Sequence, residues 1–375
     1  MRNLPRFSSQ SIAVSKSGGL LSSPFKHRLT EATAAAPGAV QGARKTIPAT
    51  AVLRAALMTS AGFLIAILGN FFIPQIADGI KITEYDLGGL TVNLNSFYRL
   101  VLGAVILIYL LAGARAYLQP ERRPAYVKAA AFRFALGLAL LLYDVAGTKL
   151  RITPQPFFPG PAQILESFLM EGSYIWENML YSLRLFGVGF LSGVVLGVGT
   201  GVLIGWFPKI YYWVYPVLRM TGIIPAVAWM PFALTLFPTP FLAAVFLIAI
   251  CSWFPVASQT AFGIQTTEKA QFEAARTLGA RTPWLVFHVA IPHAMPQIFT
   301  GITTACASSF TCLVMAEMMG QPGGLGYYIN VVKVWAAYYK VFAAILVMAV
   351  LFSLILAVLN IVRSHVLRWQ KGQFK

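Results

Sequence analysis

The sequence predicts an all-α, polytopic membrane protein of about eight transmembrane helices with one long polar loop on the cytoplasmic side. Three observations carry that prediction. The 375 residues are 58% hydrophobic and 11% charged, with a mean hydropathy of +0.70, where an ordinary soluble domain carries about a quarter charged residues. Eight apolar stretches can each cross a hydrocarbon core of about 30 Å as helix, the form that leaves no backbone group unpaired in lipid. The basic residues fall mostly into alternate loops, which orients the chain.

Taken in order, the spans run from about Ala51 to Ile73, Phe97 to Leu118, Val127 to Gly147, Leu183 to Phe207, Tyr211 to Phe237, Phe241 to Phe262, Ile298 to Met319 and Val341 to Val362. The third has the shortest apolar middle, because Lys128 and Arg133 must snorkel from one end and Asp144 from the other. Placing the N-terminus inside puts residues 1–54, the Arg115 to Arg133 link, Lys209, Arg219, Lys269, Arg276, Arg281 and the C-terminal basic residues on the cytoplasmic side. Fewer cations, and the acids Asp78, Glu84, Asp86, Glu166, Glu171 and Glu177, fall outside, so both termini are expected in the cytoplasm. The net charge of +17 is therefore mainly an orientation signal, with attraction to anionic membrane lipid as a consequence. A nucleic-acid partner is excluded, because that role needs cations gathered on one solvated face and here they lie between apolar runs.

Residues 1–50 are polar and rich in Ser, Ala and Gly, without the apolar core of a signal peptide, and read as a disordered basic cytoplasmic tail. Their Arg and Ser content, with Glu31 as the one acid, is also compatible with an organellar transit peptide. Two composition changes follow: a charged outer loop from Pro74 to Ser96, and the Pro-rich "TPQPFFPGP" from Thr153 to Pro161 that separates the first three spans from the other five. Beyond those prolines, Ile164, Leu165, Phe168 and Leu169 recur at helical spacing among acids. Ala162 to Met179 is thus expected as an amphipathic helix on the outer surface.

The loop at 263–297 is too long for a turn and too polar for a span. Glu268 to Leu278 is rich in helix formers, Gly279 is a natural helix end, Thr282 and Pro283 can begin a second helix, and Pro292 and Pro296 are expected to interrupt the approach to the next span. The product is a knob of two short helices. Ala274, Ala275, Gly279 and Ala280 permit close approach by another surface, while Glu273, Arg276 and Arg281 supply charge for a specific polar contact. On residues alone, a helix pair resting on the inner leaflet is an equal reading.

Here the chain resembles a known family. Glu273-Ala274-Ala275, then three residues, Gly279, nine residues and Val289-Ala290-Ile291-Pro292 is similar to the EAA signature of permease subunits of ATP-binding cassette importers. The resemblance extends through most of residues 154–369. It includes "FFPGPAQILESF", Asn178 to Ser182 leading into "SLRLFGVGF", "IIPAVAWMPFAL", "VMAEMMGQPGGLGYYI" and a basic tail with Trp369. It implies the nitrate, sulfonate, taurine and bicarbonate branch, with the loop as a coupling helix seated in a cytoplasmic ABC ATPase. Glu273, Ala274, Ala275, Arg276, Gly279, Ala280, Arg281 and Pro292 are then the expected ATPase contact. Further implied are an extracytoplasmic solute-binding protein, a second permease copy making a homodimer, and a bacterial inner-membrane location. The chain has no GxxxxGKS or GxxxxGKT phosphate loop, so ATP and magnesium are expected on the partner ATPase and no cofactor on this chain.

Two features depart from the family pattern. Phe237-Pro238-Thr239-Pro240 stands where relatives commonly have Phe-Gly-x-Gly, implying a stiffer outer gate, and the chain has two more spans than usual before the Pro-rich stretch. The expected organisation is a tail at 1–50, an extra transmembrane hairpin with a charged outer loop at 51–126, and the permease transmembrane domain at 127–375.

Within the spans, Gly189, Gly193, Gly197, Gly201 and Gly205 form a ridge every four residues that suits close helix packing. Pro225 and Pro231 free carbonyls that lipid would penalise. With Trp229, Thr304 and Ser308 of a hydroxyl-rich seventh span, Pro225 makes a candidate pathway lining, with packing as the competing role. Glu317, in the family's Ala-Glu position, is expected to anchor the outer glycine loop containing Gly323, Gly324 and Gly326. Cys251, Cys306 and Cys312 and the four histidines show no pairing or ligand spacing, so no metal site and no catalytic constellation is expected. An ATP-independent secondary transporter or channel is the alternative, disfavoured by the lack of paired intramembrane charges or a selectivity motif. A membrane enzyme has no supporting residues at all.

Overall fold

The computed structural model describes residues 48–74, 84–86, 91–150, 152, 154 and 156–369. The expected tail at 1–47, most of the charged loop after Pro74, and the last six residues lie outside that description. Helix dominates what remains. Among the described residues, seven helices are long and apolar enough to cross a membrane, or eight if one bent pair counts as a single span.

The first three spans make a unit of their own. Helix α1 (Ala49–Phe72) leads to a two-stranded antiparallel ribbon, β1 (Glu84–Asp86) and β2 (Thr91–Asn93), that pairs Tyr85 with Val92, a small β element in an otherwise all-α chain. Helix α2 (Leu94–Leu118) returns, a short α3 (Arg123–Lys128) turns the corner, and α4 (Ala130–Asp144) runs back along α1. The α1–α4 crossing is tight because glycines face each other: a Cβ on Gly137 would stand 2.5 Å from the Gly62 carbonyl carbon. Asp144 does not snorkel outward as expected. It is buried, and Asn70 Nδ2 of α1 donates to its Oδ2 at 2.8 Å, because the helix ends in a π turn (Val145–Lys149) that keeps the carboxylate inside the unit.

The Pro-rich link ends at Gly160, whose N–H donates to Gln163 Oε1 at 3.1 Å, and Pro161 takes the first helical position. Helix α5 (Pro161–Trp206) then runs 46 residues without interruption except for non-helical torsions at Glu171. The expected separate surface helix is thus the first turns of this long span. Ala162 and Leu165 pack against Phe63, Tyr98 and Leu102 of the N-terminal unit, burying the apolar stripe against protein rather than lipid. At the kink, Glu171 pairs with Lys340 and accepts from Tyr328 Oη at 2.7 Å.

The fifth expected span is not straight. Helix α6 (Pro208–Ile223) stops, a 3₁₀ turn (Ala226–Trp229) follows, and α7 (Met230–Leu236) leaves at 103°. Pro225 disfavours helix at Ile224, which is extended at φ −73°, ψ 122°, so the chain breaks there. Helix α8 (Pro240–Gln265) is opened by Thr239, whose Oγ1 accepts from Leu242 N. After α9 (Lys269–Thr277) and α10 (Thr282–Leu285), a π turn (Val286–Ala290) runs directly into α11 (Ile291–Met318). Pro292 and Pro296 therefore do not interrupt the approach. The wider turn just before Pro292 relieves the ring of the carbonyl it would otherwise meet, and Thr282–Met318 continues as one apolar element. Helices α12 (Leu325–Val334) and α13 (Tyr338–Val366) complete the fold.

The core is the trio α5, α8 and α11, with Leu185, Ile248, Ala305 and Leu313 at its buried centre. The glycine ridge of α5 faces α8 at every step. Gly189 meets Ile248, Gly193 meets Ser252, Gly197 meets Val256, Gly201 meets Thr260, and Gly205 meets Ile264. Backbones approach this closely only where no side chain intervenes, so the ridge packs within the subunit.

Candidate functional site

At one end of the core trio stands the polar knob. Helix α9 closes in a Schellman arrangement: the Ala280 amide donates to the Ala275 carbonyl at 3.1 Å, the Gly279 amide donates to the Arg276 carbonyl at 2.9 Å, and Gly279 sits at φ +84°. That turn satisfies the end of α9 and reverses the chain into α10. The inner face of α9 is fixed by Phe272, whose ring meets the Trp206 ring edge-on at 5.4 Å. Ala275, one turn on, is also buried. Glu273, Ala274, Arg276, Gly279 and Arg281 face outward, Ala280 is half-buried, and Leu278 is 89% exposed.

A cleft of about 540 Å³ lies on this surface, lined by Leu278, Gly279, Ala280, Arg281, Trp284 and the edge of Ala275. Trp284 stacks on His288 at 4.8 Å between ring centroids. Leu278 and Trp284 were not singled out from sequence. Their signal was an apolar side chain on each side of a glycine turn inside a polar loop. Pro292 lies apart from the cleft, beside a second cavity of about 570 Å³ shared with Gln271, His288, His293 and Trp369.

At the opposite end of α11 the glycine loop is held by side chains. Three successive amides are claimed in turn: Gly324 N donates to Asn178 Oδ1 at 2.9 Å, Leu325 N to Ser182 Oγ at 2.8 Å, and Gly326 N to Glu317 Oε2 at 2.8 Å. These are the unpaired N–H groups at the start of α12, so α5 and α11 cap a helix neither belongs to. Gly324 takes φ +110°, and its space is filled by the Glu317 side chain. Gly323 packs on the Tyr181 ring, and Tyr181 Oη donates to Gln321 Oε1 at 3.1 Å while Gln321 Nε2 donates to the Pro240 carbonyl. Asn178, Ser182 and Gln321 escaped the sequence reading as site residues, although Asn178 and Ser182 share a helical face at i, i+4 on an apolar span.

The pathway candidates are more dispersed. The turn that Pro225 starts packs against both α8 and α11, and Trp229 has its Nε1 buried with no partner among the described residues. Thr304 and Ser308 are exposed on α11. Thr304 donates to its own helix at the Thr300 carbonyl, whereas Ser308 reaches the Ala305 carbonyl at 3.0 Å and the Cys251 carbonyl of α8 at 3.3 Å. Among the described residues, no group of three or more His, Cys, Asp or Glu could hold a metal ion.

The helical core thus carries an exposed helix pair at one end and a glycine loop held by side chains at the other. Residues 193–371 match the family described as "Binding-protein-dependent transport system inner membrane component". The taurine transport system permease protein TauC of Escherichia coli (strain K12) is 24% identical over 220 residues, covering 57% of this chain and 80% of its own. SsuC of Bacillus subtilis (strain 168), which has aliphatic sulfonates transport in its name, is 29% identical over 216 residues, 57% of this chain and 78% of its own. The nitrate import permease protein NrtB of Synechocystis sp. is 29% identical over 191 residues, 48% of this chain and 68% of its own. A solved inward-facing structure of the MetNI methionine ABC transporter aligns with 54% of this chain and 98% of its own at TM-score 0.44 and 21% identity. Residues 193–371 thus resemble the inner membrane components of binding-protein-dependent transport systems, and the relatives named are permease proteins of such systems. Each of those relatives is named as a permease protein.

Proposed function

We propose that this permease translocates a small oxyanion or organic anion, of the nitrate, sulfonate, taurine or bicarbonate type, by alternating access driven by cytoplasmic ABC ATPases. The substrate class rests on what the related permeases are named for. The coupling rests on one observation: the exposed α9–α10 knob, with Glu273, Arg276 and Arg281 outward around the cleft below Leu278. A rigid knob with charge at its rim and an apolar residue at its tip suits a partner's cleft. Closure of the ATPases then pulls on α9, and α11 carries that displacement toward the glycine loop. Only a difference in affinity between the two states does work.

In this reading the chain sits in a bacterial inner membrane with both termini cytoplasmic. A second copy completes the path as a homodimer, and an extracytoplasmic binding protein delivers solute near the Glu317 loop. ATP and magnesium bind to the ATPase. Residues 127–375 form the permease transmembrane domain, with 263–297 as its coupling loop, and 51–126 is an added hairpin. Pro225, Trp229, Thr304 and Ser308 are its candidate lining.

Co-purification from native membranes tests the reading. Wild type is expected to retain a nucleotide-hydrolysing subunit that correctly inserted Glu273→Arg and Gly279→Trp variants lose. Variants that keep a fully coupled ATPase would contradict the assignment and favour ATP-independent transport.

A further inference from the structure

We propose that the basic pocket where α2, α3 and α4 meet binds the phosphate headgroup of an anionic phospholipid. The pocket has a volume of about 400 Å³ and gathers Arg115, Arg122 and Arg133 around Tyr126, with Ile108 and Leu111 of α2 along one wall. Among the described residues no carboxylate lines it. Three guanidinium groups sharing one cavity repel one another unless an anion sits between them.

Arg133 is set in place for such a ligand. Its guanidinium carbon lies 4.6 Å from the Tyr126 ring centroid and 4.9 Å from that of Tyr109, and Tyr126 is itself fixed by donating to the Tyr109 carbonyl at 2.9 Å. Arg133 Nη1 is nevertheless buried with no partner among the described residues. A buried donor left unpaired is costly, and a phosphate oxygen satisfies it in the geometry a guanidinium fork favours.

The location favours a lipid over a soluble anion. The pocket lies where two candidate spans end, Asn95–Leu118 at its C-terminus and Ala130–Lys149 at its N-terminus, so both place it at one membrane boundary. Ile108 and Leu111 are 61% and 57% exposed, which leaves an apolar track along α2 from the arginines toward the membrane interior. A headgroup bound at the arginines can lay its acyl chain there, whereas free phosphate has no use for the track.

The test uses the full chain, purified with whatever partners it retains, stripped of lipid and followed by native mass spectrometry and thermal unfolding. Phosphatidylglycerol is expected to stay bound and to raise the melting temperature, with phosphatidylcholine and inorganic phosphate doing neither. The Arg115→Gln, Arg122→Gln double variant is expected to lose about tenfold or more in apparent affinity for phosphatidylglycerol. Arg133→Lys, which keeps the charge and loses the fork, is expected to weaken it also. Should the double variant fail to fold, Arg122→Gln alone, at an exposed residue, is expected to lose about fivefold. Equal binding of phosphatidylcholine, an equal effect of inorganic phosphate, or unchanged lipid affinity in the folded arginine variants would overturn the proposal.

Discussion

Ser252 occupies the space that a side chain on Gly193 would need, and the Ala249 carbonyl oxygen would lie 2.5 Å from the added Cβ. The contact is one step of a ladder between α5 and α8 on which none of the five ridge glycines has room to spare, because each faces a β-branched side chain, Ser252 or a carbonyl of α8. Gly193→Ala is therefore expected to destabilise the protein by about 1–3 kcal/mol through overpacking. Gly199, on another face of the same helix, has nothing within 4 Å of where a Cβ would stand. Gly199→Ala is expected to be neutral or to gain up to about 1 kcal/mol, since alanine loses less backbone entropy in a helix. Thermal unfolding of the two variants side by side checks this, and equal melting temperatures would show that the ridge is not a packing surface.

The glycine loop makes a second test, because its three amide acceptors come from two helices. Glu317→Ala removes the acceptor for Gly326 N and opens a buried hole, with an expected loss of about 1–3 kcal/mol. Glu317→Gln keeps an oxygen in place and is expected to lose much less. A double-mutant cycle with Ser182→Ala, which frees the adjacent Leu325 amide, is expected to show coupling above about 0.5 kcal/mol. Strict additivity in that cycle would mean that the two bonds do not hold one loop.

What the sequence made readable follows from which signals are local. Hydropathy located the spans and the glycine period located the ridge, since each repeats along a single helix. The knob's two helices and the break at Gly279 were equally local, written in helix formers, a glycine and a proline within a few residues. The bend at Pro225 was in reach as a proline inside a span, but its angle depends on the packing of the Ala226–Trp229 turn against α8 and α11. The caps of α12 were not legible at all. Asn178 lies 146 residues from the amide it accepts and Ser182 lies 143 from its own, so only tertiary structure unites them. The burial of Asp144 was misjudged for the same reason, its donor being 74 residues away.

The Asn70–Asp144 pair gives a third expectation. The carboxylate is buried and its Oδ1 has no partner among the described residues, so the 2.8 Å bond from Asn70 is a main compensation for burying it. Asn70→Leu is expected to lower stability by about 1–3 kcal/mol, the cost of leaving a buried acceptor without its hydrogen bond. Asp144→Asn, which keeps the shape and removes the charge, is expected to be far milder. Limited proteolysis of the N-terminal unit, with melting temperature alongside, distinguishes the two. An Asn70→Leu protein as stable as Asp144→Asn would show that the bond from Asn70 adds nothing to the stability of the unit.

The knob separates local strain from partner contact. At φ +84° with open space around it, Gly279 resists substitution through backbone conformation alone. Gly279→Ala is expected to cost about 1–2 kcal/mol, and Gly279→Asn less, since asparagine enters the left-handed region more readily. Leu278 has no such constraint and is 89% exposed. Leu278→Asp is expected to leave the stability of the isolated permease within about 0.5 kcal/mol of wild type, as surface changes do, while weakening ATPase binding at least about fivefold. The two measurements are thermal unfolding of the chain alone and titration of the ATPase against the permease in lipid nanodiscs. If Leu278→Asp binds the ATPase as wild type does, the tip of the knob is not the contact, and the inner leaflet becomes its better partner.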